Sequence, residues 1–544
     1  MTFDRAIRVA GSWVGWSELV GDPALCAEAY QHLMSYIPHA VASRYLPMER
    51  YSLLFDVQEH AEEAGYWLAR TGRYEDAAVA LDVGRAVSIS EVVSRDRPTL
   101  AAELAAAGRS ELLAPYLAAV QELAVAERDT SRPGTEFSSR LQRAWANYDA
   151  VARQVSLVDE GNRSGTLISF EDLVDAARSG PMVYLAAANR TGYAIVVTAD
   201  GRASWLPLPM LTRSNATDQA IELLIEQKHS FLAVSAALRW LWDNGIGDLM
   251  SGLPTGLPVT LIPIGVLSML PVHAAGGPRY DDGPPPTWQY ALDTMVVRYA
   301  PNARMLLRAR DRARSMRDVP LALLAVDAPN GGQHDPIPHT RREVDELSRR
   351  WVAAGGVVSG LHNATLGQVR PELPHHAVWH FACHCVVELD DVLDSALIVE
   401  DGRVSLAELM AVPPAARRLA VLSACSTHQS NVQLPNEALG LPGGLMQIGF
   451  AAVVASHWLV PDVSAVFLMT RFYEFWQRDR LEPCAALTAA QRWLRRATRA
   501  ELESYLPGVL TPPLPGSVVA PQARPDSRPF SHPYHWAAFA VSGV

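Results

Sequence analysis

From about residue 182 onward, short apolar runs alternate with segments of helical spacing, and this alternation restricts the fold more than any other feature. The strand-like runs are MVYLAA (182–187), YAIVVT (193–198), SWLPL (204–208), PVTLIP (258–263), TMVVRYA (294–300), LALLAVD (321–327), AVWHFA (377–382), RLAVLSA (418–424), AAVVASHW (451–458) and HWAAFAVSG (535–543). NRTG between the first two signals a hairpin. Helical spacing falls near 217–243, 302–315, 339–354, 405–411, 436–449, 462–479 and 484–498. Apolar strands separated by helices predict an α/β domain, with a mostly parallel sheet covered by helices on both faces. On such sheets, ligands and catalytic groups gather at the carboxyl ends of strands. The Pro-rich segment 508–533 reads as a surface loop before the last strand.

Residues 1–160 follow a different pattern, helical throughout. In 58–91, Gly65, Gly72, Tyr74, Ala77 and Leu81 fall where a tetratricopeptide repeat places small and aromatic packing residues. Flanking segments 23–56 and 97–128 keep helical spacing without that signature, so an ordinary helical bundle competes with a TPR-like domain. Arg132-Pro133-Gly134 breaks the helices, and the polar stretch Asp159–Gly165 reads as the linker to a second domain over 166–544.

Charge and cysteine usage narrow the function. Net charge is -11 with no long basic run, which disfavours nucleic acid or an anionic membrane as partner. Five cysteines, Cys26, Cys383, Cys385, Cys425 and Cys484, do not make a disulfide framework, and a cytoplasmic setting fits them. No signal-peptide plan follows Met1. Two uncharged stretches are long enough to suggest membrane spans, about 256–277 and 438–460. Pro258, Pro263 and Pro271 break the first into strands and turns; Pro442 and Gly443-Gly444 mark the second as a buried helix feeding a strand.

Two strands run into reactive side chains. AVWHFA leads to Cys383-His384-Cys385, and RLAVLSA leads to Cys425-Ser426-Thr427-His428. As parallel neighbours, about 4.8 Å apart, these strands would bring His384 and Cys425 together on the loops beyond one sheet edge. An imidazole beside a thiol generates the thiolate nucleophile and can return a proton to a leaving amine. The alternatives are a buried core cysteine, a structural histidine, and a zinc site from His380, Cys383, His384, Cys385, Cys425 and His428, whose spacing is not a usual ligand pattern.

VWHFACHC, DSALIVEDGRVSLAEL, LAVLSACST, NEALGLPGGLMQIGFAAVVASHWLVPD and HPYHWAAFAVSG, in that order, resemble the CHAT family, caspase-like peptidase domains often joined to tetratricopeptide repeats. The upstream IPIGVLSMLPVHAA and VVRYAPNARML share the resemblance. It implies a caspase-like fold and a cysteine endopeptidase acting on proteins, with Cys425 as nucleophile and His384 as base. Backbone N–H groups of Cys425 and Cys385 would form the oxyanion hole. His380 would be structural, and His273 of LPVHAA reads on its own as a structural histidine. In the substrate-recognition region, Trp458 would form a pocket wall, and Asp462 would meet a basic side chain or start a helix. Glu437 would serve that pocket or its helix. Where the family usually carries Gly after the histidine, this chain carries Cys385. No metal or organic cofactor is implied. The partners implied are a protein substrate and a regulator bound by the helical region. A protease-like interaction scaffold is the alternative function.

Overall fold

The computed structural model describes residues 3–42, 59–85, 104–105, 108–128, 135–158, 168–226, 231–279, 287–330, 336–388, 392–412, 417–424, 427, 440–510 and 524–544. The chain divides into two units, residues 1–170 and 171–544. The expected linker at 159–165 lies outside the described residues.

The first unit is helical. α1 (Phe3–Val20) packs on α2 (Pro23–Ala42), and α3 (His60–Arg70) packs on α4 (Tyr74–Val83). α5 (Leu113–Arg128) and α6 (Thr135–Val158) form another pair. The segment with the repeat signature folds as a helical hairpin. Gly72 turns the chain with φ +78°, a left-handed conformation natural to glycine, and Ala77 and Leu81 are buried between the helices.

The second unit is built on a sheet whose strands, among the described residues, follow the order β12-β11-β10-β13-β14-β15-β7-β4-β1-β2-β3, with β8 beside β10 and β9 beside β8. The strands are β1 (Met182–Ala187), β2 (Gly192–Val197), β3 (Ala203–Leu208), β4 (Val259–Pro263), β7 (Val297–Tyr299), β8 (Ala322–Ala328), β9 (Val357–Leu361), β10 (Val378–Val386), β11 (Ala396–Val399), β12 (Gly402–Ser405), β13 (Arg417–Ser423), β14 (Phe450–Ser456) and β15 (Phe539–Gly543). A separate ribbon pairs β5 (Gly276–Arg279) with β6 (Thr287–Tyr290). β9, β8, β10, β13 and β14 are mutually parallel, as are β15, β7, β4 and β1. β15 joins the two sets by running antiparallel to β14.

β13 and β14 are buried along their whole length, which matches their nearly continuous apolar sequences. One face of the sheet carries α7 (His339–Ala353), α8 (Asp462–Tyr473) and α9 (Pro483–Arg496), whose apolar sides share a core with Val378, Ala382, Val421 and Val454. The helices Ala303–Ser315 and Leu441–Gln447 also pack on β14. The two uncharged stretches fold as expected. The first forms β4 and short 3-10 turns; the second forms Leu441–Gln447 and β14. No helix among the described residues is long and apolar enough to cross a membrane.

In the expected helical segment 217–243 the described residues form helices Arg213–Glu226 and Phe231–Leu241, followed by a π turn where Gly245 adopts φ +102°. Two expectations change. The final strand starts at Phe539, not His535, because the His532 side chain accepts from Tyr534 N and Pro533 begins a short helix through Trp536. β10 runs to Val386 instead of ending at Ala382. β8 accompanies it as far as Cys383, and antiparallel β11 then pairs with residues 384–386.

Gly543 lies close against β14 in the β14–β15 seam. Its φ is +93°, and a Cβ there would lie 2.2 Å from the Ala451 carbonyl oxygen. Gly543→Ala is expected to destabilise the sheet by about 1–3 kcal/mol. Thermal denaturation checks this as a lowered transition, and an unchanged melt would contradict it.

Candidate active site

The ladder between β10 and β13 positions the site. Its register pairs Val378 with Leu419, His380 with Val421 and Ala382 with Ser423. His384 lies two residues beyond Ala382, and Cys425 lies two beyond Ser423. Cys425 itself lies outside the described residues, as do His428 and Glu437. The residues bracketing Cys425 are described. Ala424 and Thr427 are both buried, at the end of β13 and against the end of β14.

His384 sits within β10, not on a loop after it, because β11 holds this part of the strand. It is half-buried, and its Nε2 atom is shielded from solvent. Side chains alternate along a strand, so His380, Ala382 and His384 belong to one face. That face is fixed by a buried group. His380 Nε2 lies 2.8 Å from Glu343 Oε1 of α7, with the two side chains 0% and 1% exposed. Tyr473 Oη of α8 lies 3.4 Å from His380 Nδ1. Burial, with the Glu343 carboxylate adding to it, pushes the Tyr473 hydroxyl well above its ordinary range. His380 is therefore structural, tying β10 to two helices.

Cys385 also belongs to β10 and pairs with Leu397. Among the described non-glycine residues, only Asn363 and Arg480 have positive φ. Cys385 thus takes ordinary strand backbone at the position where the resemblance led to an expectation of glycine. Cys383 is buried.

Two expected substrate residues are placed differently. Trp458 is fully buried, with its indole N–H donating to the Tyr534 carbonyl at 3.0 Å. In this conformation it packs in the core and offers no pocket wall. Asp462 begins α8; Oδ2 accepts from His339 N at 3.0 Å, and Oδ1 lies 2.8 Å from Val463 N. Its carboxylate therefore joins the N-termini of α7 and α8, where it complements both helix dipoles. The capping alternative describes it better than a specificity role.

The sequence reading missed a cluster on this same edge. Asp327, at the end of β8 and fully buried, pairs in register with Ala382. One carboxylate oxygen contacts His362 Nδ1, and the other accepts from Asn363 N at 3.0 Å. His362 Nε2 lies 3.3 Å from Asp345 Oδ1. An acid ending the otherwise apolar run LALLAVD was the available signal. Elsewhere, His273 Nδ1 meets Tyr299 Oη and His273 Nε2 meets the Ala537 carbonyl oxygen, both at 2.9 Å. Burial lowers its pKa to about 4 and holds the ring neutral. The described residues contain no group of three or more His, Cys, Asp or Glu side chains able to hold a metal ion.

A CHAT domain model matches residues 235–544, more than half of the chain. The chain belongs to the CHAT domain family. The match begins inside the helix Phe231–Leu241, yet β1, upstream of it, pairs with β4 in the same sheet, so the structural domain is larger than the matched region. The sheet with its covering helices is the caspase-like fold expected of that family. No curated protein matches the sequence. Two solved structures of the Saccharomyces cerevisiae separase–securin complex are similar at 9% identity, with TM-scores of 0.44 and 0.42. They cover 98% and 97% of this chain, which spans only 48% of each matched chain.

Two outcomes follow. His380→Ala leaves the Glu343 carboxylate buried without its partner and is expected to cost about 3–5 kcal/mol; His384→Ala, at a half-buried position, should leave the thermal transition within a few degrees. Equal losses in the two variants would contradict this assignment. His273 has its folded pKa below the ordinary 6.5, so its contribution is intact above that pH and declines as pH falls towards about 4. Denaturant unfolding across this window should show falling stability, with a shallower fall in His273→Gln. Identical slopes would contradict the neutral buried histidine.

Proposed function

We propose that the chain is a cysteine endopeptidase of protein substrates. The β10–β13 register supports this reading: the ladder ends at Ala382 and Ser423, and His384 and Cys425 each follow that last pair by two residues in sequence. In the proposed reaction, His384 takes the Cys425 thiol proton. The thiolate forms an S–C bond to the scissile carbonyl carbon, and the carbonyl electrons move onto oxygen. The oxyanion meets the backbone N–H groups of Cys425 and Cys385. Collapse of this intermediate breaks the C–N bond as His384 protonates the departing amine. Water then hydrolyses the thioester with His384 as base. Glu437 is assigned to the substrate region following Cys425. The helical unit 1–160 is assigned to binding a substrate or a regulatory protein, and the cytoplasm is the compartment in which its cysteines stay reduced.

Iodoacetamide footprinting read by mass spectrometry tests the dyad. Cys425 should be alkylated ahead of the other cysteines at neutral pH, and His384→Ala should slow its alkylation by at least about ten-fold. Labelling that ignores His384 would favour the alternative, an interaction scaffold without turnover.

A further inference from the structure

Among the described residues, three strands of the large sheet have a strand neighbour on one side only: β3, β12 and β9. Two of these edges are blunted. β3 contains Pro207, which has no N–H to offer, and β12 contains Arg403, whose side chain is 50% exposed. β9 has neither device. Residues 353–361 read AAGGVVSGL, without charge or proline. Val357 is 69% exposed, and Val352 of the preceding helix α7 is 57% exposed. Among the described residues, the backbone of 357–361 makes hydrogen bonds only in its ladder with β8. An apolar strand thus presents its outward N–H and C=O groups to whatever extended chain can meet them.

The sequence of β9 is complementary to itself. Two strands related by a two-fold axis run antiparallel, and residues that face each other must lie on the same side of the sheet. With the axis through Ser359, Val357 faces Leu361 of a second copy, and Val358 faces Gly360. The most exposed valine gains an apolar neighbour, and the bulk of Val358 falls opposite a residue with no side chain. An axis through Val358 or Gly360 would instead set Val357 against Ser359, or against Asn363 beyond the strand. The helix over this edge is complementary in the same arrangement. A Cβ on Gly360 would lie 3.4 Å from Ser348 Oγ, so the axis passes near Ser348 of α7. Two copies of α7 would cross it antiparallel. The Asp345 side chain of one, 52% exposed, then comes towards the Arg349 side chain of the other, 64% exposed, and the pairing occurs twice.

We propose that β9 is a dimerisation strand, pairing antiparallel with β9 of a second copy about an axis through Ser359, so that one sheet runs through both chains. Such a contact is isologous and closes on itself. The blunted edges at β3 and β12 stop the joined sheet from growing further. The inference stands apart from the peptidase reading and survives its failure.

Sedimentation equilibrium of the full chain, with one disrupting and one linking variant, tests this. Wild-type protein at micromolar concentration should have the mass of two chains. Val357→Lys changes an exposed side chain and should leave the circular dichroism spectrum intact, but it sets a charge against Leu361 of the second copy and should raise the dimer dissociation constant by at least about ten-fold. Facing residues of an antiparallel pair are close enough for a disulfide. Ser359→Cys treated with oxidised glutathione should therefore form a two-chain species absent from identically treated wild type, with position 359 linked to itself in the mass spectrum. Should Val357→Lys fail to fold, the link at position 359 decides alone. A monomeric wild type overturns the proposal, including one whose β9 edge captures only an extended peptide of another protein. So does a folded Val357→Lys with an unchanged dissociation constant, or the absence of a link at position 359.

Discussion

The parallel ladder between β10 and β13 is the constraint on which the candidate site depends. A pairing register in a sheet is discrete. Slipping it by one residue would turn alternate side chains to the wrong face and bury His384's neighbours incorrectly. The register is held by more than its own hydrogen bonds. Both strands are enclosed, β10 by β8 and β13 by β14, and their first residues are buried on both faces.

Polar groups in the core bind this frame to its helices. His380 joins β10 to Glu343 and Tyr473, so strand, α7 and α8 cannot shift independently. Asp462 ties the first turns of α7 and α8 at the same end. Asp327 fixes the chain after β9 through Asn363 and His362. Asp462 and Asp327 sit at a helix start and near a strand end, where backbone N–H groups lack regular partners and side chains must supply them. The edge is thereby organised by buried polar contacts, while the sheet centre relies on apolar packing.

Much of this was legible in the sequence, for identifiable reasons. Strongly apolar runs such as RLAVLSA and AAVVASHW have few alternatives to central strands, so β13 and β14 fall where expected. Local pattern does not reveal which strand will accompany the far end of another. β10 thus extends through His384 because β11, the next strand in the chain, returns antiparallel beside it, and the short run ALIV does not announce its partner. Asp462 and Trp458 show a second limit. An acid or indole beside a candidate pocket carries the same letters whether it meets substrate, caps a helix or fills the core. Only the tertiary contacts to His339 N and the Tyr534 carbonyl separate these roles.

The central claim is that the Cys425 thiol and the His384 imidazole meet as an ion-pair-forming dyad. Thiolate absorbance in the ultraviolet, titrated with pH and taken as the difference between wild type and Cys425→Ser, addresses that meeting directly. The account predicts a thiolate already formed near neutrality, below the ordinary thiol value of about 8.5, and lost from that range in His384→Gln. A Cys425 thiol that ionises at the ordinary value, with or without the imidazole, would contradict it.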